Sequence, residues 1–326
     1  MSGIVHIMGI VNLTQDSFYA GSRTAATDAL SRAQQMWASG ATVVDLGACS
    51  TRPGAPQPSL EEEWARLEPA LREMAGHCPS GNSVRFALSG PSHCLSRPPC
   101  ERTANGPLPA SWDFRFSPYC PPGDIGPHGA MCGGAHVPEE QYPAISIDTY
   151  RSEIVRRAYE VIGPFMVNDI SAGQLDPRML ETVGRLGLPY VAMHMRGTPE
   201  TMQQFTDYQD LVADIKSYFR DFALKAADAG IADWLLDPGF GFSKTLEQNW
   251  ELLRRLAELQ ELGRPILVGV SRKSMLYKAL CITPEEALPA TQVVQYAALE
   301  RGARWLRVHD VAEAAQTVQL WSLAQK

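Results

Sequence analysis

RPILVGVSRKS, residues 264–274, runs from Ile266 to Val270 without a polar side chain and then turns abruptly to Ser271, Arg272 and Lys273. A short unbroken apolar run suits a strand buried on both faces, as in a parallel sheet, better than one with a wet face. TVVDL, residues 42–46, is similarly apolar apart from Thr42 and Asp45 and is likewise followed by a polar stretch, CSTRPG. Working outward from these two, the sequence predicts strands at Val5–Val11, Thr42–Leu46, Ala144–Ile147, Phe165–Asn168, Tyr190–His194, Trp234–Asp237, Ile266–Val270 and Trp305–Val308. Amphipathic stretches between them predict helices at Ala25–Ser39, Leu60–Ala75, Ser152–Val161, Pro177–Leu186, Tyr208–Ala229, Leu246–Leu262, Pro284–Arg301 and Val311–Leu323. Gly40, Gly163, Gly187, Gly230, Gly263 and Gly302 follow most of these helices, where a left-handed residue closes the last turn. Alternating strands and helices in this number point to a closed α/β architecture, the (β/α)8 TIM barrel, with a doubly wound open sheet as the alternative.

The 326 residues, 45% of them apolar, are enough for one large barrel with a sizeable core. A net charge of −7 gives no global basic field for nucleic acid or membrane, so an anionic ligand must be held by local Arg and Lys. No run of about 18 apolar residues exists, so no membrane span is expected. MSGIVHIMGIVN at the start reads as a first strand rather than a secretion signal. The seven cysteines, Cys49, Cys78, Cys94, Cys100, Cys120, Cys132 and Cys281, form no C-x-x-C pair and read as reduced thiols of a cytoplasmic protein.

Residues 76–140 break the rhythm. The segment has no sustained periodicity, is crowded with Pro and Gly (PPC, YCPPGDIGPHG, CGG) and contains five of the seven cysteines. It reads as a poorly ordered insertion between the second helix and the third strand. A zinc or disulfide module using those cysteines with His77, His93, His128 and His136 is the alternative, although the Cys spacing fits no familiar zinc pattern. Loops of this type lie on the N-terminal face of a barrel, away from the chemistry.

At the other face the predicted strands end in polar residues. They are Asn12; Thr51 and Arg52 after the second strand; Asp148; Asn168 and Asp169; His194; Asp237; Ser271, Arg272 and Lys273 after the seventh; and Arg307 with His309. Singly, each has a plain explanation: Asp and Asn cap helices, Lys and Arg are solvated, and His194 between two Met fits an interior histidine. Asp45, within the second strand, is expected to be structural. As a set on one rim, they point to a binding site. Arg52, Arg307, His309 and Asn12, with the helix that opens at Val311, suit an anion. Asp148, Asn168, Asp237 and Lys273 suit a flat heterocycle with an amidine-like edge, and Phe240 and Phe242 suit either its ring face or the core.

NLTQDSF, STRPG, SIDT, NDIS, DPGFGF, LVGVSRKS and RVHD occur in that order. The series resembles the dihydropteroate synthase family over residues 4–76 and 141–326, as a single pterin-binding barrel domain spanning 1–326. The first loop departs, with SFYAGSR for SFSDGG, as does the second, with GACSTRPG for GGESTRPG. The resemblance implies a transferase that joins 4-aminobenzoate to 6-hydroxymethyl-7,8-dihydropterin diphosphate in folate biosynthesis. It implies that Asp148, Asn168, Asp237 and Lys273 hold the pterin, Phe242 lies at its face, and Arg307 and His309 bind the diphosphate. Thr51 would contact the pterin diphosphate, and Asn12 would bind Mg²⁺ as a cofactor. The loops carrying Asp16, Ser17 and Arg52 would cover the aminobenzoate pocket, with Ser271 and Lys273 beside it. The catalytic set implied is Asp148, Lys273, Arg307 and His309. A homodimer built on the C-terminal helices is also implied; Leu288, Val293, Val294, Tyr296 and Ala297 give one of them an apolar surface. Two other readings remain: a methyltetrahydrofolate-binding methyltransferase domain with a corrinoid partner, and a non-catalytic barrel acting as a binding partner.

Overall fold

Eight short strands pair in parallel, each with its sequence neighbour, and the last closes on the first to give a barrel. They are β1 His6–Asn12, β2 Val43–Gly47, β3 Ala144–Asp148, β4 Met166–Asp169, β5 Tyr190–Met193, β6 Trp234–Asp237, β7 Ile266–Val268 and β8 Ala303–Val308. Closure is made by β8 against β1, with Arg307 opposite Met8 and Val308 opposite Gly9. The open, doubly wound alternative is thereby excluded. The computed structural model describes residues 4–13, 28–49, 57–77 and 144–325.

The described helices are α1 Ala29–Ala38, α2 Leu60–His77, α3 Ser152–Ile162, α4 Met179–Leu186, α5 Leu211–Ala229, α6 Leu246–Arg254, α7 Ser274–Leu280, α8 Leu288–Glu300 and α9 Val311–Ala324. Their starts are written in the sequence. Asp210 accepts from the N–H groups of Val212 and Ala213 at 3.0 Å, opening α5. Thr245 and Gln248 exchange side-chain-to-backbone bonds of 3.2 and 2.8 Å at α6, a capping box. Gly187 and Gly230 close α4 and α5 in the left-handed conformation. None of the described helices is long and apolar enough to cross a membrane.

Three expectations needed correction. The predicted helix Leu246–Leu262 is two pieces, α6 and a 3₁₀ segment Leu256–Leu262, in which the three-residue repeat buries Leu256 and Leu259 on one side. The helix α7, missed in the sequence, follows Lys273 directly; its seven residues are too few to show a period. The second helix runs past Ala75 to His77, so Gly76 and His77 belong to it rather than to the insertion. The remainder of the segment, residues 78–143, lies outside the described residues, as do its five cysteines. The residues that flank it are described: α2 stops at His77 and β3 starts at Ala144, on the N-terminal side of the strands.

Two apolar layers form the core. One large cluster packs the helices on the outside of the sheet. A separate one, Met8, Val43, Met166, Val191, Leu235, Leu267 and Trp305, fills the barrel interior. The outer layer has little slack. A Cβ placed on Gly184 of α4 would lie 1.7 Å from the carbonyl oxygen of Ala229, which neither helix can yield without moving. Gly184→Ala is expected to cost about 1–3 kcal/mol of stability, seen as a lower urea midpoint with an unchanged slope; an unchanged midpoint would show the α4–α5 contact to be looser than described.

Candidate active site

The interior plug also defines the site, because side chains in a strand return to the same face every second residue. Two residues beyond Val43, Met166, Leu235 and Trp305 come Asp45, Asn168, Asp237 and Arg307, and Asp148 lies opposite Gly47 and Asn168 in the strand register. The apolar floor therefore carries a polar layer on top of it, at the C-terminal mouth. Buried charges placed over such a floor must pair.

They do pair, across the lumen rather than along the sheet. Arg307 donates from Nε to Asp45 Oδ2 at 2.8 Å and from Nη2 to Asp148 Oδ2 at 2.7 Å. Asn168 Nδ2 donates to the same Asp45 oxygen at 2.9 Å. Burial pushes the Asp148 carboxyl above the usual carboxylate range, against the opposing pull of Arg307. Asp45, expected to be structural, thus lies in the same buried layer as the candidate site residues and is the shared acceptor of Arg307 and Asn168. The signal was present: a carboxylate in an otherwise apolar, doubly buried strand has to find a cation, and the strand period aims it into the lumen.

On the far side of the mouth stands the loop after β6. Asp237 accepts from the Gly239 N–H at 2.8 Å. Lys273 Nζ donates to the Phe240 carbonyl at 2.5 Å and sits 4.8 Å from the Phe242 ring centre. Phe240 is fully buried in the outer core, so of the two aromatics only Phe242 faces the rim. Burial lowers Lys273 to about 8, opposed by Asp237. Burial likewise raises Asp237, opposed chiefly by Lys273. His194 is interior, held neutral by burial and by the Lys244 ammonium, 3.1 Å from its Nδ1.

The loops after β7 and β8, expected to hold the anion, are tied to each other. The backbone N–H of His309 donates to Ser271 Oγ at 3.2 Å. Arg272 grips Asp310 through Nε and Nη2 at 2.8 and 3.0 Å and donates to the carbonyls of Pro284 and Glu285. It does so from a left-handed backbone, φ 52°, an uncommon state for a bulky residue that surrounding contacts must enforce. Arg272 is therefore the strut that fixes Ser271, Lys273 and His309 relative to one another. Its charge read as surface in the sequence. Burial, then the nearby Arg307, lower His309 to about 3, which favours the neutral imidazole.

Asn12 ends β1 opposite Gly47. A Cβ built on Gly47 would lie 3.5 Å from Asn12 Oδ1 and 3.7 Å from Asp148 Oδ2, so the two oxygens approach one point. Thr51, Arg52, Asp16 and Ser17 lie outside the described residues. Asn12, Asp148, Asn168, Asp237, Phe242, Ser271, Lys273, Arg307 and His309 are all on the mouth, linked by the strand register and by mutual electrostatic effects.

A closed barrel whose mouth gathers buried acids and cations, interleaved and paired across the lumen, has the form of an enzyme site for a polar ligand. A family model described as pterin binding enzyme matches residues 8–82 and 135–309, and the interruption falls within the Pro- and Gly-rich segment. The chain is 34% identical to the dihydropteroate synthase of Escherichia coli K12 over 97% of this chain and 90% of that one. It is 36% identical to that of Neisseria meningitidis serogroup C, over 97% and 91%. Among solved structures it is similar to Yersinia pestis dihydropteroate synthase in a sulfonamide drug complex, with TM-score 0.75 and 31% identity over 99% and 94% of the two chains. The Thermus thermophilus dihydropteroate synthase in complex with 4-aminobenzoate gives 0.69 and 30% over 98% and 94%. The chain belongs to the pterin-binding enzyme family, among the dihydropteroate synthases.

Proposed function

We propose that this barrel joins 6-hydroxymethyl-7,8-dihydropterin diphosphate to 4-aminobenzoate, yielding 7,8-dihydropteroate and pyrophosphate. The observation that carries the reading is Arg307 clamped between Asp45 and Asp148 in one layer with Asn168 and Asp237. The Asp237 carboxylate accepts from the N–H groups at the edge of the pterin, and the Asn168 amide both donates to that edge and accepts from it. Lys273 and Phe242 bound its face. In the reaction the methylene C–O bond breaks with its electron pair going to the diphosphate. Positive charge spreads into the pterin, where the Asp148 carboxylate stabilises it. The amine nitrogen then forms the C–N bond and releases a proton to solvent. Because a neutral aromatic amine attacks, no strong general base is needed.

His309 and Arg307 receive the departing diphosphate at the mouth of α9. A bound anion opposes the cations that, after burial, hold His309 neutral. Its pKa of about 3 is therefore expected to rise when pyrophosphate is added, seen as a shift in the imidazole NMR titration. No change on saturation would remove His309 from the diphosphate site.

Mg²⁺ is part of the proposal, with Asn12 as its protein ligand. Among the described residues no group of three or more His, Cys, Asp or Glu is placed to hold a metal. One amide oxygen beside a carboxylate suits a hard cation that keeps its waters and arrives on substrate phosphates. When bound, it supplies charge neutralisation at the leaving group. A homodimer through α8 and α9 is proposed as well. Val293 is 69% exposed, and Leu320 and Leu323 are 63% and 56%. The Gln292–Thr317 side-chain bond joins the two helices one turn away from Leu320. A cytoplasmic location fits the free thiols of Cys49 and Cys281.

The deciding experiment mixes the two substrates with Mg²⁺ and follows pyrophosphate and dihydropteroate. Formation of both supports the synthase. Pterin binding without pyrophosphate release favours the methyltransferase-like reading, and no pterin binding by calorimetry favours the non-catalytic barrel. Excising residues 83–134, where the family match is interrupted, is expected to leave kcat/KM within about threefold, because the nearest described residues on either side, His77 at the end of α2 and Ala144 at the start of β3, are on the face opposite the site. A loss of pterin turnover in soluble, folded protein would place the segment at the site after all.

A further inference from the structure

Lys244 has no part in the chemistry above, yet its side chain is 3% exposed. An ammonium so placed is costly unless each of its three N–H groups meets an acceptor. The acceptors are there: the Gly239 carbonyl at 3.0 Å, the Phe242 carbonyl at 3.0 Å and His194 Nδ1 at 3.1 Å. Those two carbonyls bracket the tight turn that leads from Asp237 to Phe242. The turn is closely fitted, since Gly239 has φ 71° and a Cβ on it would lie 2.1 Å from the His194 carbonyl oxygen. Gly241, φ 83°, anchors its N–H on Asn249 Oδ1 at 2.6 Å.

We propose that Lys244 is a positioning residue for the pterin: from beneath, its ammonium fastens the Gly239–Phe242 turn to the end of β5 and so sets where the Asp237 carboxylate and the Phe242 ring meet the heterocycle. This rests on the pterin reading of the site. Lys244 touches no substrate; it acts through the turn. The charged and titratable groups facing it are His194 at the end of β5, Asp237 at the end of β6 and Lys273 beyond β7. Burial lowers Lys244 to about 7, opposed by Asp237 and furthered by Lys273. Below that pH the three bonds are charge-assisted. Above it, the amine keeps two donors, His194 must switch tautomer to donate from Nδ1, and the bonds weaken. Linkage then requires that pterin, if it favours the fastened turn, raise the Lys244 pKa by the same free energy with which protonation tightens pterin binding.

The test is calorimetry and steady-state kinetics with 6-hydroxymethyl-7,8-dihydropterin diphosphate on wild type and Lys244→Met. The variant is expected to raise Kd and KM for the pterin by about tenfold or more, with kcat and the KM for 4-aminobenzoate within about threefold. The pH dependence of pterin affinity near neutrality should shrink with it. Should the Met variant not fold, wild type decides: the His194 tautomer, followed by ¹⁵N NMR from pH 6 to 9, is expected to switch at a higher pH when pterin is bound. A midpoint indifferent to pterin, or a folded Met variant that binds pterin like wild type, overturns the inference alone. Absence of pterin binding by wild type overturns the functional reading and this inference with it.

Discussion

Asp148→Asn is expected to lower kcat by about 10²–10³-fold, the usual loss when one preorganised electrostatic group is removed from a developing charge. Pterin affinity should change by no more than about fivefold. Asparagine keeps the size and one acceptor oxygen, so the bond now made by Arg307 Nη2 at 2.7 Å can persist. What disappears is the negative charge proposed to face the pterin as the C–O bond breaks. A second signature follows from the elevated pKa. Burial holds Asp148 partly protonated well above the usual carboxylate range, and only the ionised form can stabilise a cation. Wild-type kcat should therefore climb with pH as Asp148 ionises, and that limb should vanish in the variant. Equal losses in kcat and pterin affinity would mean that Asp148 only grips the substrate.

Much of this was legible because a parallel barrel announces itself twice. Runs such as VVDL and LVGV require burial on both faces, and the polar residue that ends each run marks the mouth. Asn168, Asp237 and Arg307 were found by that signal alone. What stayed hidden depends on facts that one-dimensional spacing does not contain. Arg272 and Lys244 look like solvated charges until the chain folds carbonyls around them. That Asp45 needs a cation could be read from its buried strand, but that the cation is Arg307 of β8 follows only from closure of the barrel. Phe240 and Phe242 are indistinguishable by spacing, yet the turn sends one into the core and the other to the rim. The helix α7 is shorter than two turns and has no period to read.

Arg307→Met carries the other large effect, and on stability as well as turnover. Arg307 is the cation between two carboxylates, with Asp45 completely buried and the Arg307 side chain 21% exposed. Removing one partner of a buried pair leaves the others uncompensated, at a cost of about 3–5 kcal/mol; the residual exposure places this case near the lower end. The pH dependence distinguishes this cause from lost packing. Burial raises the Asp148 pKa in the native state, and Arg307 is the chief influence lowering it. Without Arg307 it rises further above its unfolded value. A native state that binds more protons than the unfolded one loses stability as pH rises through that interval. The deficit of the variant relative to wild type should thus be smallest near the ordinary carboxylate pKa and grow toward neutral and alkaline pH. Adding Asp45→Asn to Arg307→Met removes the most deeply buried of the stranded charges and should recover part of the stability. It should recover none of the turnover, because the diphosphate has still lost its cation. A deficit of the same size at every pH, or full stability recovery by filling volume alone, would show that Arg307 is there for its methylenes and not for its charge.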